Sequence, residues 1–306
     1  MLLLARCPAQ ALEESLAPHQ LPPLHMAAEQ GQVDCLVLLL QRCASVEGLD
    51  SWGRTALMVA LEAGRVECTS VLLEHTGDLD AVCGAGVPLL HKAAQQGMAT
   101  CVAQLLGRGA SIDTVDFHGR TALHAACLHG QACIAVTLLE AAAGRSTPLG
   151  MAAFLDRRDV DGCTPALLAT RLAYHQPGQL PGLLQCVSLC LQRGADTQAA
   201  SKADGRTMLF FLAAVGATDL VGQMLILCRA DPNRPCVRGL TALHFAAAHG
   251  QADTVRLLLA HGAQPDMCDD SGATPIDHAL RGVPGGCAPG KGHADCHSLL
   301  LRRLVR

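Results

Sequence analysis

A short apolar segment returns eight times along this chain at a nearly fixed interval, and that recurrence limits the fold more than any other feature. Pro22-Pro-Leu-His-Met-Ala-Ala28 comes back as Thr55-Ala-Leu-Met-Val-Ala-Leu61, Pro88-Leu-Leu-His-Lys-Ala-Ala94 and Thr121-Ala-Leu-His-Ala-Ala-Cys127. It continues as Thr164-Pro-Ala-Leu-Leu-Ala-Thr170, Thr207-Met-Leu-Phe-Phe-Leu-Ala213, Thr241-Ala-Leu-His-Phe-Ala-Ala247 and Thr274-Pro-Ile-Asp-His-Ala-Leu280. The fourth position falls at 25, 58, 91, 124, 167, 210, 244 and 277, at intervals of 33, 33, 33, 43, 43, 34 and 33 residues. A unit that short cannot enclose a core; it buries its apolar face against its neighbours, so the core becomes a seam extended one unit at a time. Half of the 306 residues are apolar but only 2% are aromatic. Ala and Leu therefore supply most of the packing volume, which suits short helices better than a sandwich or barrel.

Each unit repeats the same local chemistry. Thr55, Thr121, Thr164, Thr207, Thr241 and Thr274 stand first in the motif, where a hydroxyl can cap a helix. Pro22 and Pro88 replace Thr twice, with a φ that still suits a helix start. Six residues past the fourth position come Gly31, Gly64, Gly97, Gly130, Gly216 and Gly250, which predict left-handed helix ends. A second helix with a leucine stripe follows, as in Val71-Leu-Leu73 and Leu257-Leu-Leu259. Two residues before each motif from the second onward stands another glycine, from Gly53 to Gly272, predicting a tight turn with positive φ.

On these residues the sequence resembles the ankyrin-repeat family, whose unit is a β-turn and two antiparallel helices with a motif close to T-P-L-H-x-A-A. The resemblance implies an all-α solenoid of about eight repeats over residues 21–304, starting near 21, 54, 87, 120, 163, 206, 240 and 273. It implies an L-shaped stack in which hairpin fingers and first helices form one concave binding face. Residues 1–20 are expected to form an N-terminal helical cap around Ala9 to Ala17, and His293 to Leu304 a closing helix with Arg302 and Arg303 toward solvent. Insertions near 141–161, 174–182 and 283–292 break the period. The first is expected to extend a finger and carries Arg145, Arg157 and Arg158; its Thr147-Pro-Leu-Gly-Met-Ala-Ala153 imitates the motif off register. The second, Tyr174 to Gly182, lengthens the turn between two helices.

Net charge is −4 without a long run of either sign, so the sequence offers no footprint for nucleic acid and no polybasic membrane anchor. The sixteen cysteines are scattered through apolar stretches such as Cys35-Leu-Val-Leu-Leu-Leu40, which predicts buried thiols in a reducing, intracellular setting, cytoplasmic or nuclear. Met1-Leu-Leu-Leu4 ends at Arg6 with no basic region before it and is a poor signal peptide. Met208 to Cys228 is long enough to span a bilayer, but Gly216-Ala-Thr-Asp219 breaks it where the repeat demands a turn.

No catalytic or cofactor-binding set emerges. The resemblance makes His25, His91, His124 and His244 structural, and Met58, Leu167, Phe210 and Asp277 fill the same slot with no shared chemistry. Gly285-Gly-Cys-Ala-Pro-Gly-Lys-Gly292 copies the start of a phosphate loop but has Gly292 where a magnesium-binding hydroxyl belongs. Cys287, His293, Cys296 and His297 cluster in sequence, yet adjacent Cys296 and His297 leave a helix on different sides, so no metal site is expected. Cys186 and Cys190 have helical spacing and read as core. The expectation is a monomeric, non-catalytic scaffold for a protein partner, with substrate recognition for a ubiquitin ligase as the alternative and a metal- or nucleotide-dependent enzyme as the remote one. Against the ligase reading, the sequence offers no room after Arg306 for a SOCS-type box or F-box.

Binding is expected at finger tips and inner helices. Trp52, the only tryptophan, and Phe117-His118 lie at tips, either as partner anchors or folded onto a neighbouring finger. Arg54, Arg120 and Arg206 precede Thr and suggest a basic ladder or a solvated face. The residue after the fourth position should face the concave side, which exposes Met26, Val59, Lys92, Ala125, Leu168, Phe211, Phe245 and His278. Asn233, the only asparagine, resembles the hairpin asparagine that some ankyrin proteins present for hydroxylation, with Leu225 eight residues before it and Pro232 as a departure.

Overall fold

A computed structural model describes residues 21–42, 44–83, 86–144, 148–282 and 290–304. They form two compact units, one of residues 21–126 with 133–144, the other of 127–132 with 148–304. The expected cap at 9–17 and residues 283–289 of the last insertion lie outside the described residues.

In the first unit, helix pairs succeed one another: α1 (Pro23–Gln30) and α2 (Val33–Gln41), α3 (Ala56–Glu62) and α4 (Val66–His75). A two-residue hairpin, β1 (Val82–Cys83) and β2 (Val87–Pro88), leads into α5 (Leu89–Gln95) and α6 (Ala99–Gly107). Helices α7 (Ala122–Leu128) and α8 (Ala132–Ala143) follow, the turn between them belonging to the second unit. First helices pack on first helices (α1 on α3, α3 on α5) and second on second (α2 on α4, α4 on α6). Leu36, Leu57, Leu72, Leu90 and Leu105 fill the seam; burying each contributes about 1.5–3 kcal/mol.

The second unit contains α9 (Pro148–Leu155), α10 (Pro165–His175), α11 (Leu180–Gln192), α12 (Met208–Val215) and α13 (Thr218–Ile226). It continues with α14 (Ala242–Ala248), α15 (Ala252–Ala260), α16 (Pro275–Arg281) and α17 (Lys291–Leu304). The same alternation holds: α10, α12, α14 and α16 pack in series, as do α13, α15 and α17. Arg302 and Arg303 are exposed on α17.

Local chemistry explains the helix ends. Thr55 and Thr164 accept the amides of Met58 and Leu167, each at 3.3 Å. The two glycine series adopt positive φ throughout, for example +73° at Gly53 and +79° at Gly216.

The departures from the period take a form the sequence does not announce. Residues expected to extend a finger after α8 instead include helix α9, which buries Phe154 and Leu155; Met151-Ala-Ala153 are strong helix formers whatever their register. Around 174–182, α10 runs on to His175, a 3-10 turn spans Pro177–Gln179, and α11 begins at Leu180. There Gly182 approaches the turn after α7 so closely that a Cβ on it would lie 2.6 Å from the Gly130 carbonyl oxygen. The interval of 34 has its own site. Ala110, Ala195 and Ala263 donate backbone N–H to the carbonyl five residues earlier, each at 3.0 Å, whereas Ala230 reaches six residues back, to Met224. The additional residue thus sits at the end of α13. It leaves Ile226 and Leu227 exposed and puts Arg229 at φ +51°, where the other units have Gly109, Gly194 and Gly262.

Candidate protein-binding site

The motif histidines are clamps. In His25 and His91 the Nε2–H donates to the carbonyl oxygens of Arg54 (2.9 Å) and Arg120 (2.7 Å), each 29 residues ahead in the next unit. His244 makes the same bond to Ala273 at 3.3 Å, while its Nδ1 accepts the Thr241 amide at 3.0 Å. Burial, reinforced by the nearby His278, pushes the His244 pKa down to about 4, so the ring is neutral. Thr121 gives His124 Nδ1 the same amide. Pro22 and Pro88 have no N–H to give, and Nδ1 of both His25 and His91 is buried without a partner. In the last unit Asp277 Oδ2 takes the Thr274 amide at 2.8 Å, doing with a carboxylate what Nδ1 does elsewhere.

The fingers are held by a residue that sequence reasoning missed. Asp50 Oδ1 accepts the amides of Trp52 and Arg54 at 2.9 and 2.8 Å, and Asp116 Oδ1 those of His118 and Arg120 at the same distances. Asp159 takes the Cys163 amide and Asp269 those of Ser271 and Ala273. An aspartate three residues before the tip glycine was the available signal. On these frames Trp52 is 56% exposed and Phe117 is 64% exposed, each held next to a polar neighbour. Arg54 lies 5.0 Å from the Trp52 ring centre and pairs with Asp50 and Glu62; the rings of Phe117 and His118 are 4.0 Å apart. Arg54 is spent on its own unit and Arg120 is half-buried, so no basic ladder stands free there.

In the second unit, fingers and first helices enclose a groove of about 420 Å³. Phe245 forms its floor, with the Arg206 guanidinium 4.7 Å above the ring. Arg206 is also 3.2 Å from Asp204 Oδ2, a charge pairing whose Nε–H is not directed at the oxygen. His249 stacks along Phe245 and contacts the Tyr174 hydroxyl at 3.2 Å. On the far side His278 donates to Asp269 at 2.9 Å. Burial works against ionisation of Asp269, but hydrogen bonds from Ser271, His278 and the Ala273 amide outweigh it and hold its pKa far below the carboxylate range.

The expectation that every residue after the fourth motif position faces outward is corrected here. Met26 and Phe245 reach the surface, but Val59 and Leu168 are buried and Phe211 is only 2% exposed. For Phe211 the cause is α10, whose extra turn brings Tyr174 over it, ring centres 6.0 Å apart. Tyr174 thereby becomes the groove aromatic that Phe211 was expected to be.

Asn233 does not hang free. Its Nδ2 donates to the Gly262 carbonyl at 2.9 Å and its Oδ1 accepts the Gln264 amide at 2.8 Å, tying one finger to the next. Cys127, Cys186 and Cys190 lie buried together; contact with Cys186 and Cys190, added to burial, pushes the Cys127 thiol well up, and it packs as a neutral group. Among the described residues no group of three His, Cys, Asp or Glu side chains is arranged to hold a metal. Cys287 and most of the glycine-rich 285–292 stretch lie outside the described residues, Cys296 is buried, and His293 is tied to the Ala248 carbonyl. No described helix is long and apolar enough to cross a membrane.

Comparison with known proteins agrees with this geometry. Residues 2–83 and 90–177 match the family profile described as Ankyrin repeats (3 copies), and 225–279 match Ankyrin repeats (many copies). NF-kappa-B inhibitor delta of Homo sapiens is 32% identical over 51% of this chain and 53% of its own length. The probable E3 ubiquitin-protein ligase XBOS33 of Oryza sativa subsp. japonica is 35% identical over 40% of this chain and 22% of its own. The chain spans at most about half of the length of the curated relatives it matches, and under a tenth of some of them. The crystal structure of the ankyrin repeat domain of Bcl-3, described as a member of the IkappaB family, superposes with a TM-score of 0.56. It has 25% identity and covers 94% of this chain and all of that one. The repeating helix pairs, the histidine clamps and these matches together establish that the chain belongs to the ankyrin-repeat family.

Proposed function

We propose that this chain is a non-catalytic scaffold that binds a partner protein through its finger tips and the Phe245 groove. The observation that carries this is the exposure of Trp52 and Phe117, large aromatics fixed by aspartate-capped turns with no core to enter. Arg54, His118 and Arg120 frame those tips, Phe245 supplies the groove, and the buried Phe211 supports it from beneath. The scaffold acts as a monomer inside the cell, in cytoplasm or nucleus, and needs no cofactor. Because two of its likenesses carry NF-kappa-B inhibitor or IkappaB names, NF-kappa-B subunits are the first preys to offer it. The test is proximity labelling in cells with wild type and a Trp52→Ala, Phe117→Ala double variant of unchanged circular dichroism. Loss of specific neighbours supports the reading; an unchanged neighbour set overturns it.

Substrate recognition for a ubiquitin ligase is the second reading, favoured by the likeness to a probable E3 ligase; recovery of cullin or elongin subunits in the same labelling would select it. Turnover of nucleotide, or stoichiometric binding of zinc, by the purified chain would select an enzyme instead. Hydroxylation of Asn233 is also proposed, and mass spectrometry of peptides containing it would read the added oxygen; its two side-chain bonds require that finger to open first.

A further inference from the structure

Three successive fingers of the first unit present an apolar residue four positions before their tip glycine: Leu49, Val82 and Val115. They are 62%, 54% and 38% exposed and recur every 33 residues, so the repeat places them at equivalent positions on successive fingers. Trp52 and Phe117 flank the row. In the second unit the same position holds Arg158, Ser201, Pro235 and Cys268, so the apolar row belongs to the first unit.

The charge around the row has one sign. Segments 44–55, 77–88 and 110–121 carry six carboxylates against two arginines. Asp50 and Asp116 are turned inward to cap their turns, whereas Glu47, Asp78, Asp80 and Asp113 are exposed. Both arginines, Arg54 and Arg120, are half-buried. A second copy of this chain would bring like charges together on such a face, and an acidic or nucleic-acid partner would be repelled by it. We infer that the row Leu49–Val82–Val115 with its exposed carboxylates is the docking surface for a segment of a partner protein carrying both apolar and Lys or Arg side chains. The inference rests on the binding role proposed above and names the chemistry of what is bound.

Trp52 is the only tryptophan in the chain, so its emission reports on this surface alone. Full-length protein is titrated with three synthetic peptides of equal length, one of Leu and Lys, one of Leu and Glu, one of Ser and Lys. The Leu/Lys peptide is expected to move the Trp52 emission saturably, with affinity falling about tenfold for Leu49→Ser, Val82→Ser, and again for Asp78→Asn, Asp80→Asn. These side chains are exposed, and Asn keeps the oxygen that accepts the Asp80 and Ser111 amides, so the variants are expected to melt like wild type. Equal binding of the Leu/Glu peptide overturns the charge assignment, and binding without a Trp52 response overturns the location. A dimer in sedimentation that Leu49→Ser disperses would identify a second copy as the occupant and overturn the inference. Failure of all three peptides while labelled neighbours still depend on Trp52 and Phe117 would overturn the partner chemistry and leave the binding role standing.

Discussion

Replacing Arg229 with glycine is expected to stabilise the second unit. Arg229 is held at φ +51° after α13, where the corresponding residues Gly109, Gly194 and Gly262 have φ of +95°, +87° and +88°. A side chain in the left-handed region costs roughly 1–2 kcal/mol from the clash of Cβ with the carbonyl oxygen. Glycine relieves that clash but gains unfolded-chain freedom worth about 0.4–1 kcal/mol. The difference leaves a net gain of about 0.5–1 kcal/mol. Arg229 is exposed and makes no hydrogen bond or ion pair among the described residues, so nothing offsets the gain. Urea titration of wild type and Arg229→Gly should show a higher midpoint at constant slope. Hydrogen exchange should slow locally at the Ala230 amide, whose bond to Met224 the turn supports. The reverse change, Gly262→Arg, should cost a similar amount. A midpoint that falls in Arg229→Gly would refute the reasoning, because the turn would then owe its stability to the side chain and not to its backbone.

Three further expectations come from close contacts and buried rings. Pro88→Thr supplies the amide that His91 Nδ1 lacks; relief of a buried orphan acceptor, about 1–3 kcal/mol, exceeds the lost proline rigidity, so the melting temperature should rise. Gly182→Val should destabilise by at least about 2 kcal/mol, since the Cβ meets a backbone carbonyl that cannot swing aside; a neutral result in thermal melts would show that the contact between Gly182 and the Gly130 turn is loose. Acid should weaken the second unit through His244. Its folded pKa of about 4 lies below the ordinary histidine value of 6.5, so the stability it contributes is present above pH 6.5 and lost as pH falls toward 4. The full loss is on the order of 3 kcal/mol, and His244→Gln should flatten the slope of stability against pH over that range.

The repeat, its helix ends and its clamps were legible because each depends on residues close in sequence: Thr before an apolar run, Gly after it, His in between. Burial at the concave face was not, because it depends on a residue from another unit. Nothing near Phe211 announces that Tyr174, 37 positions earlier, will lie over it; only the length of α10 decides that. Helix α9 was hidden for a different reason. Its sequence copies the motif off register, where the regular interval elsewhere predicts a lengthened finger instead of a helix. The finger aspartates were visible and unread, since their effect appears only when their carboxylates close a turn onto two amides.

The histidine clamp has a consequence for where length can change. At His25, His91 and His244 the ring grips a carbonyl 29 residues ahead and so sets the height of the next finger. Leu167 and Phe210 occupy the clamp position in the fifth and sixth units, and neither side chain can grip anything. Those two units carry the stretched α10–α11 connection and the surplus residue at the end of α13. Growth has entered at the apolar stitches of Leu167 and Phe210, and after His124 as helix α9, whereas the seams gripped by His25, His91 and His244 have kept their spacing of 33.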